Sequence, residues 1–400
     1  MNLPLKNVKV LDLSSVLAGP YCSLHLGDYG ATVTKIESPQ GDLLRKLGGR
    51  SKSGMLSPQF MNINRNKKSL CIDLKNPQSD EIIKKLISTH DVLLTNMRDN
   101  ALKKLHLDYN SVEKIRKDII YCHIVGFGSK GKYSSLPAYD NIIQGASGFS
   151  DLFKRRDNSP GFVPLGITDR ISGLTAFNSI LLSIIQRNIS NEGQYIEVPM
   201  YEIASTFILT EHIGDMFFKN SSGKTGDLRV LNPSTKPIPT KNGYICVSAN
   251  TDKQAFAFFD AIDRPKLKNN KKFDSVTARY ENLEDFTKIR TTSLTSKTTE
   301  EWMAIFLDKD IPAMPVNSFE DLIYDEQLNS SDIFEEMDHP IEGKINTIKQ
   351  PVSFSKTKLS YKSLAPSLGE DYMSILQEIG FKKSEIHKLI KSKCIHPPKK

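Results

Sequence analysis

Asp169 stands in the stretch VPLGITDRISG, directly before a run in which Leu174, Phe177, Leu181 and Ile184 recur at helical spacing. A carboxylate at such a helix start has two readings. As an N-cap it accepts a hydrogen bond from a backbone N–H that has no partner inside the helix. As a nucleophile it uses the same field, because a helix N-terminus favours the ionised form. Gly166 and Gly173 lie on either side of it and leave room for a substrate to approach. The residue types alone leave both readings open.

Other chemistries find less support. The eight histidines are dispersed and none falls in an HExxH or HxxxH spacing, so no metal site is expected. No serine or cysteine sits in a GxSxG elbow. The three-glycine dinucleotide fingerprint is missing, which argues against a nicotinamide-dependent oxidoreductase. What does stand in the first strand-to-helix turn is SSVLAGP (14–20), at the carboxyl end of a strand where open α/β sheets bind their ligands.

The elements that must position these residues alternate. VKVLDL (8–13), TVTKIE (32–37), SLCIDL (69–74), VLLTN (92–96), IIYCHIVGF (119–127) and YIEVPM (195–200) read as strands, with helical segments between them. Such alternation predicts a doubly wound parallel sheet. The texture changes at 219–241, a Gly-, Ser-, Lys- and Pro-rich stretch that reads as a linker. Residues 242–318 then carry a compact pattern of one strand, helices near 253–263, 282–295 and 298–308, and a short strand at PAMPV. The expected organisation is therefore a first part at 1–218, a small domain at 242–318, a second linker at 319–345, and a C-terminal part at 346–400 that returns to the large domain.

At 400 residues with 25% charged and 38% hydrophobic side chains, the composition is that of an ordinary globular chain. No apolar run is long enough to cross a membrane and no signal peptide is visible. Cys22, Cys71, Cys122, Cys246 and Cys394 are scattered, so reduced thiols and a cytoplasmic location are expected. Of the formal charge of +8, the stretch from Lys382 onward holds seven lysines against the single acid Glu385, so most of the excess is a terminal tail. Nucleic acid is not expected as a partner.

Taken in order, the segments VLDLSSVLAGPYCSLHLGDYGATVTKIESPQGD (10–42), NINRNKKSLCIDLKNPQ (62–78), DVLLTNMRDNALKKLHLDY (91–109), YCHIVGFGSKGKYSSLPAYDNIIQGASG (121–148), VPLGITDRISG, GQYIEVPMYE (193–202), EEWMAIFLDKDIPAMPV (300–316) and LAPSLGEDYMSILQEIGF (364–381) resemble the family III CoA-transferases, which also include α-methylacyl-CoA racemases. Each piece is weak, but the ordered series spans about residues 5–390. The resemblance implies a large domain with a Rossmann-like sheet built from both ends of the chain, an inserted smaller α+β domain, and an interlocked ring homodimer threaded by 219–241 and 319–345.

The resemblance also implies roles. Asp169 matches the catalytic aspartate. Val16, Leu17 and Ala18 match the turn along the CoA pantetheine, and Ile72, Asp73, Leu74 and Lys75 the stretch at the adenine and ribose. Asn96, Met97, Arg98, Ala101, Lys104 and Leu105 match a second wall of the nucleotide site. Pro137, Ala138, Tyr139 and Asp140 match a loop beside the thioester, and Met200 a residue near the aspartate. Lys75, Arg98 and Lys104 would face the phosphates.

Four departures narrow the expectation. Leu17 replaces a glutamine and Ser38 an arginine of the formyl-CoA transferases, and no glycine-rich loop is evident near Asn250. Formyl or oxalate specificity is not expected. Tyr139 stands where the racemases carry a histidine, and tyrosine is a poor proton shuttle at neutral pH. The expectation is a CoA-transferase with no tightly bound cofactor or metal, using acyl-CoA and a small carboxylic acid as substrates. The alternatives are a 2-methylacyl-CoA racemase and a non-catalytic CoA- or nucleotide-binding protein.

Overall fold

The computed structural model describes residues 3–359 and 363–398. The six expected strands form one sheet: β1 (Lys9–Asp12), β2 (Thr32–Glu37), β3 (Lys67–Cys71), β4 (Val92–Thr95), β5 (Ile120–Val125) and β6 (Gln194–Pro199). They lie in the order 3-2-1-4-5-6, and every pairing is parallel. This is the doubly wound Rossmann order, in which β1 and β4 are neighbours and the connections leave them in opposite directions. The strands read as nearly unbroken apolar runs because both sheet faces are covered. Val92, Leu93 and Leu94, for example, are all fully buried.

The helices along this stretch of the chain are α1 (Ala18–Asp28), α2 (Pro58–Asn64), α3 (Ser79–Thr89), α4 (Asp99–Lys104), α5 (Tyr109–Glu113), α6 (Asp140–Ser147), α7 (Phe149–Asp157), α8 (Ile167–Ser190) and α9 (Met200–His212). Ile82, Ile83, Leu86 and Ile87 of α3 share a core with Leu11, Leu70, Leu93 and Tyr121 of the sheet and with Ile375, Leu376, Ile386 and Leu389 of two C-terminal helices. α8 packs on α1 and against β5 and β6.

The buried face of α8 differs from the expected one. Ser172, Gly173, Ala176, Ile180 and Ser183 form it, whereas Leu174 is 41% exposed and Phe177, Leu181 and Ile184 are only half-covered. Small residues win because α1 comes too close for large ones. A Cβ on Gly173 would stand 2.6 Å from the Ala18 carbonyl oxygen.

The chain divides into two compact units. The first comprises 1–148, 162–207 and 331–400, and includes a β10–β11 hairpin (Phe334–His339, Gly343–Ile348) in a stretch read from sequence as linker. The second comprises 149–161 and 208–330, so α7 belongs to it. It has a small antiparallel sheet of β7 (Ile238–Pro239), β8 (Tyr244–Val247) and β9 (Ala313–Pro315). Its own core is built from Phe258, Phe259, Phe286, Trp302 and Phe306. No helix among the described residues is long and apolar enough to cross a membrane.

Candidate active site

A cleft of about 510 Å³ opens at the carboxyl ends of β1 and β4. The strand order reverses there, so the two following turns diverge and leave a crevice between them. Asn96, just after β4, bridges the turns. Its Oδ1 accepts from the Ser15 N–H at 3.0 Å and its Nδ2 donates to the Ser15 carbonyl at 2.9 Å. The Nε2 of buried His123 on β5 lies 2.7 Å from the Met97 carbonyl, fixing the second turn from below. Gly126 lets the 137–139 loop fold back onto the end of β5, since a Cβ there would stand 2.4 Å from that of Ala138.

Asp169 lies in the wall of this cleft, in the first turn of α8. It is not the cap. The N-cap position is Gly166, and the capping acceptor comes from α6: Asp140 Oδ1 accepts from the Thr168 N–H at 2.8 Å, the Thr168 hydroxyl at 2.7 Å and the Asp169 N–H at 3.1 Å. Gln144 holds the other Asp140 oxygen at 2.7 Å. The structural task that a helix-start carboxylate could perform is thus carried by a residue 29 positions earlier. Among the described residues, nothing donates a hydrogen bond to the Asp169 carboxylate.

Burial, and then the carboxylate of Asp140, push Asp169 up to about 7 from the usual 3.8, while Arg170 pulls the other way. The helix terminus does not keep the group strongly acidic, as its position alone had implied, because desolvation outweighs the half-charge of the dipole. The result is a more basic carboxylate that is still substantially ionised at neutral pH, which suits nucleophilic attack on a carbonyl. The flanking glycines also serve differently from expectation. Gly173 makes room for α1, and a Cβ on Gly166 would meet Leu17 Cδ2 at 2.6 Å. They bring the β1–α1 turn up to Asp169 and leave the space above it to the cleft.

The cleft brings together Val16, Leu17, Ala18, Asn96, Met97, Arg98, Pro137, Ala138, Tyr139, Asp169 and Met200. Ile72, Asp73, Leu74, Lys75, Ala101, Lys104 and Leu105 lie outside its lining. Ile72 is fully buried, and Leu74 and Leu105 pack against the sheet core, so their side chains face inward. Asp73 N–H donates to the Cys394 carbonyl at 2.9 Å, tying that stretch to the C-terminal segment. Lys75 and Lys104 are exposed outside the cleft, while Lys103, one position earlier on α4, lines it. Sequence reasoning missed Lys103 and also His123, Ser129, Ser134 and Ser135. Lys103 and Lys104 differ by about 100° of helical phase, and no periodic pattern in so short a helix fixes which one points inward. A smaller cavity of about 230 Å³ is lined by Met61, Arg65 and Ile345. Its cation Arg65 is engaged with Asp28 at 2.6 Å, which leaves that cavity without comparable chemistry.

A parallel sheet in this order, with a cleft at its switch point and a carboxylate that accepts no hydrogen bond among the described residues in its wall, defines an α/β protein of the doubly wound class. The chain belongs to CoA-transferase family III, whose sequence model matches residues 5–372. It is 30% identical over 378 residues to a human protein named succinyl-CoA:glutarate CoA-transferase, covering 94% of this chain and 86% of the relative. A succinate–glutarate CoA-transferase of Agrobacterium fabrum is 26% identical, with 94% and 96% covered. A crystal structure of a CAIB/BAIF family protein from Brucella suis superposes with a TM-score of 0.81 at 27% identity, covering 95% of this chain and all of that one. The protein is a CoA-transferase.

Proposed function

We propose that the protein moves CoA from an acyl-CoA donor to a carboxylic-acid acceptor by covalent relay on Asp169. The observation that carries this is the carboxylate itself: it stands in the cleft with no hydrogen-bond donor among the described residues, while Asp140 performs the capping. Asp169 attacks the donor thioester carbonyl, the C–S bond breaks, and CoA leaves as thiolate from a mixed anhydride. The thiolate attacks the aspartyl carbonyl, expelling the donor acid and leaving an aspartyl-CoA thioester. The acceptor carboxylate attacks that thioester to give a second anhydride, and the returning thiolate takes its acyl group and frees Asp169. Each step conserves the activated acyl bond provided water stays out.

Arg98 and Lys103 in the cleft supply cations for the phosphates of CoA, whereas Lys75 and Lys104 are exposed outside its lining. Succinyl-CoA as donor and a small dicarboxylate such as glutarate as acceptor are supported by the names of the relatives. The interlocked homodimer is supported by the outer row of α8, where Leu174, Leu182, Ile185 and Ile189 are 41–73% exposed. A racemase needs a second proton-transfer group beside the aspartate. Tyr139, which stands in the sequence where the racemases carry a histidine, is 67% exposed, and the histidine in the cleft lining, His123, is engaged with the Met97 carbonyl.

The test is to incubate the enzyme with succinyl-CoA, trap with hydroxylamine, and map the modified carboxylate. Modification of the peptide holding Asp169, with transfer to glutarate in the untrapped reaction, is the expected result. Labelling elsewhere would refute the relay. Exchange of an α-proton from deuterated water without transfer would establish the racemase instead.

A further inference from the structure

Val16 has φ +67°, in the left-handed region, and it lines the cleft. The other non-glycine residues with positive φ among those described are Asn, Asp, His or Lys; Val16 is the only β-branched one. A valine does not enter this region unless its surroundings hold it there, and such residues gather at ligand clamps.

What holds it is a buried ion pair that takes no part in the proposed chemistry. The Val16 N–H donates to both carboxylate oxygens of Asp42, at 3.1 and 3.2 Å. Asp42 Oδ2 pairs with Lys35 Nζ at 3.0 Å, and both side chains are essentially inaccessible to solvent. The same Lys35 Nζ donates to the Ser14 carbonyl at 2.9 Å. One ion pair therefore grips the turn on both sides of Ser15, whose own N–H and C=O are taken by Asn96. Asp42 is in turn fixed: its Oδ1 accepts from the Leu44 N–H, and its own N–H donates to Glu37, which is held by Arg45. A buried pair is a weak source of net stability, because desolvation of both charges offsets their attraction. Holding a backbone shape is a better account of this one.

We infer that the Lys35–Asp42 pair is a positioning device that holds Val16 in its left-handed conformation and thereby shapes the cleft wall against which the acyl-CoA lies. This rests on the cleft being the CoA site. Asp42 and Lys35 touch no substrate; they act through Val16.

A double-mutant cycle tests it. Glycine adopts positive φ without penalty, so a Val16→Gly chain needs no clamp. Asp42→Ala in the natural background should raise KM for the acyl-CoA about 10-fold or more, with kcat changed less than about threefold. In the Val16→Gly background the same Asp42→Ala change should raise KM less than about threefold. Where Asp42→Ala fails to fold, the pair Lys35→Met with Asp42→Leu removes both charges together and replaces it in the cycle. An equal KM penalty in both backgrounds, or a penalty confined to kcat, overturns the proposal while leaving the CoA site intact. Failure of the unmodified enzyme to turn over any CoA ester overturns the site assignment itself, and the proposal with it.

Discussion

Replacing Asp169 by asparagine should abolish transfer and, at alkaline pH, make the protein more stable. A folded group held at about 7 binds its proton more tightly than the same carboxyl in the unfolded chain, near 3.8. Its contribution to stability is complete below pH about 4, declines as pH rises towards 7 and stays lost above that. At about 1.4 kcal/mol per decade of proton affinity, the loss is at most about 4 kcal/mol, and the open cleft beside a partly exposed group brings it to about 1–3 kcal/mol. The Asp169→Asn change keeps the side-chain volume and removes the charge. Because Asp140 supplies the cap, no helix-start bond is lost. Denaturant midpoints of wild type and variant, measured from about pH 4 to 8.5, should coincide at the acid end and separate progressively between about pH 4 and 7, with the variant higher. Transfer should fall at least about 1,000-fold while CoA still binds. If Asp169 is the nucleophile, wild-type kcat/KM should rise with pH through about 7 as it ionises. An Asn or Ala variant less stable than wild type at about pH 8 would show that the carboxylate is structural and refute the reasoning.

Asp140→Asn removes the like charge beside Asp169, so the acid limb of the rate profile should move to lower pH; loss of a charged acceptor from the first turn of α8 should cost about 1–3 kcal/mol in denaturant midpoints. Lys103→Ala should raise KM for acyl-CoA about 10- to 150-fold, the equivalent of about 1.5–3 kcal/mol for a phosphate contact, with kcat nearly constant. Lys104→Ala, outside the cleft, should raise it less, and the reverse ranking would return the role to Lys104. Gly173→Ala drives a methyl towards the Ala18 carbonyl and should destabilise by about 1–3 kcal/mol in thermal or denaturant unfolding. Light scattering at micromolar concentration should give about twice 44.9 kDa, and a fully active monomer would dispose of the homodimer.

Much of the fold was legible along the chain. Strands such as VLLT and IYCHIV announce themselves because a parallel sheet covered on both faces needs an unbroken apolar run, and local composition carries that signal. The SSVLAGP turn and the Asp169 segment could be singled out as chemistry-bearing for similarly local reasons: a turn at a strand's carboxyl end and an acid at a helix start. Partnership between distant residues was not legible. That β1 neighbours β4 and so opens the cleft, that Asp140 caps α8, and that Asp42 reaches Val16 across 26 positions follow from chain reversals that no local pattern encodes. Those partnerships decide the functional details. With its backbone neighbours capped from elsewhere, Asp169 is left unbonded and poorly solvated; with α1 pressed onto Gly173, the apolar row of α8 turns outward. Residue type established what Asp169 could do, and the burial and neighbours that folding alone supplies established how basic it is and what it faces.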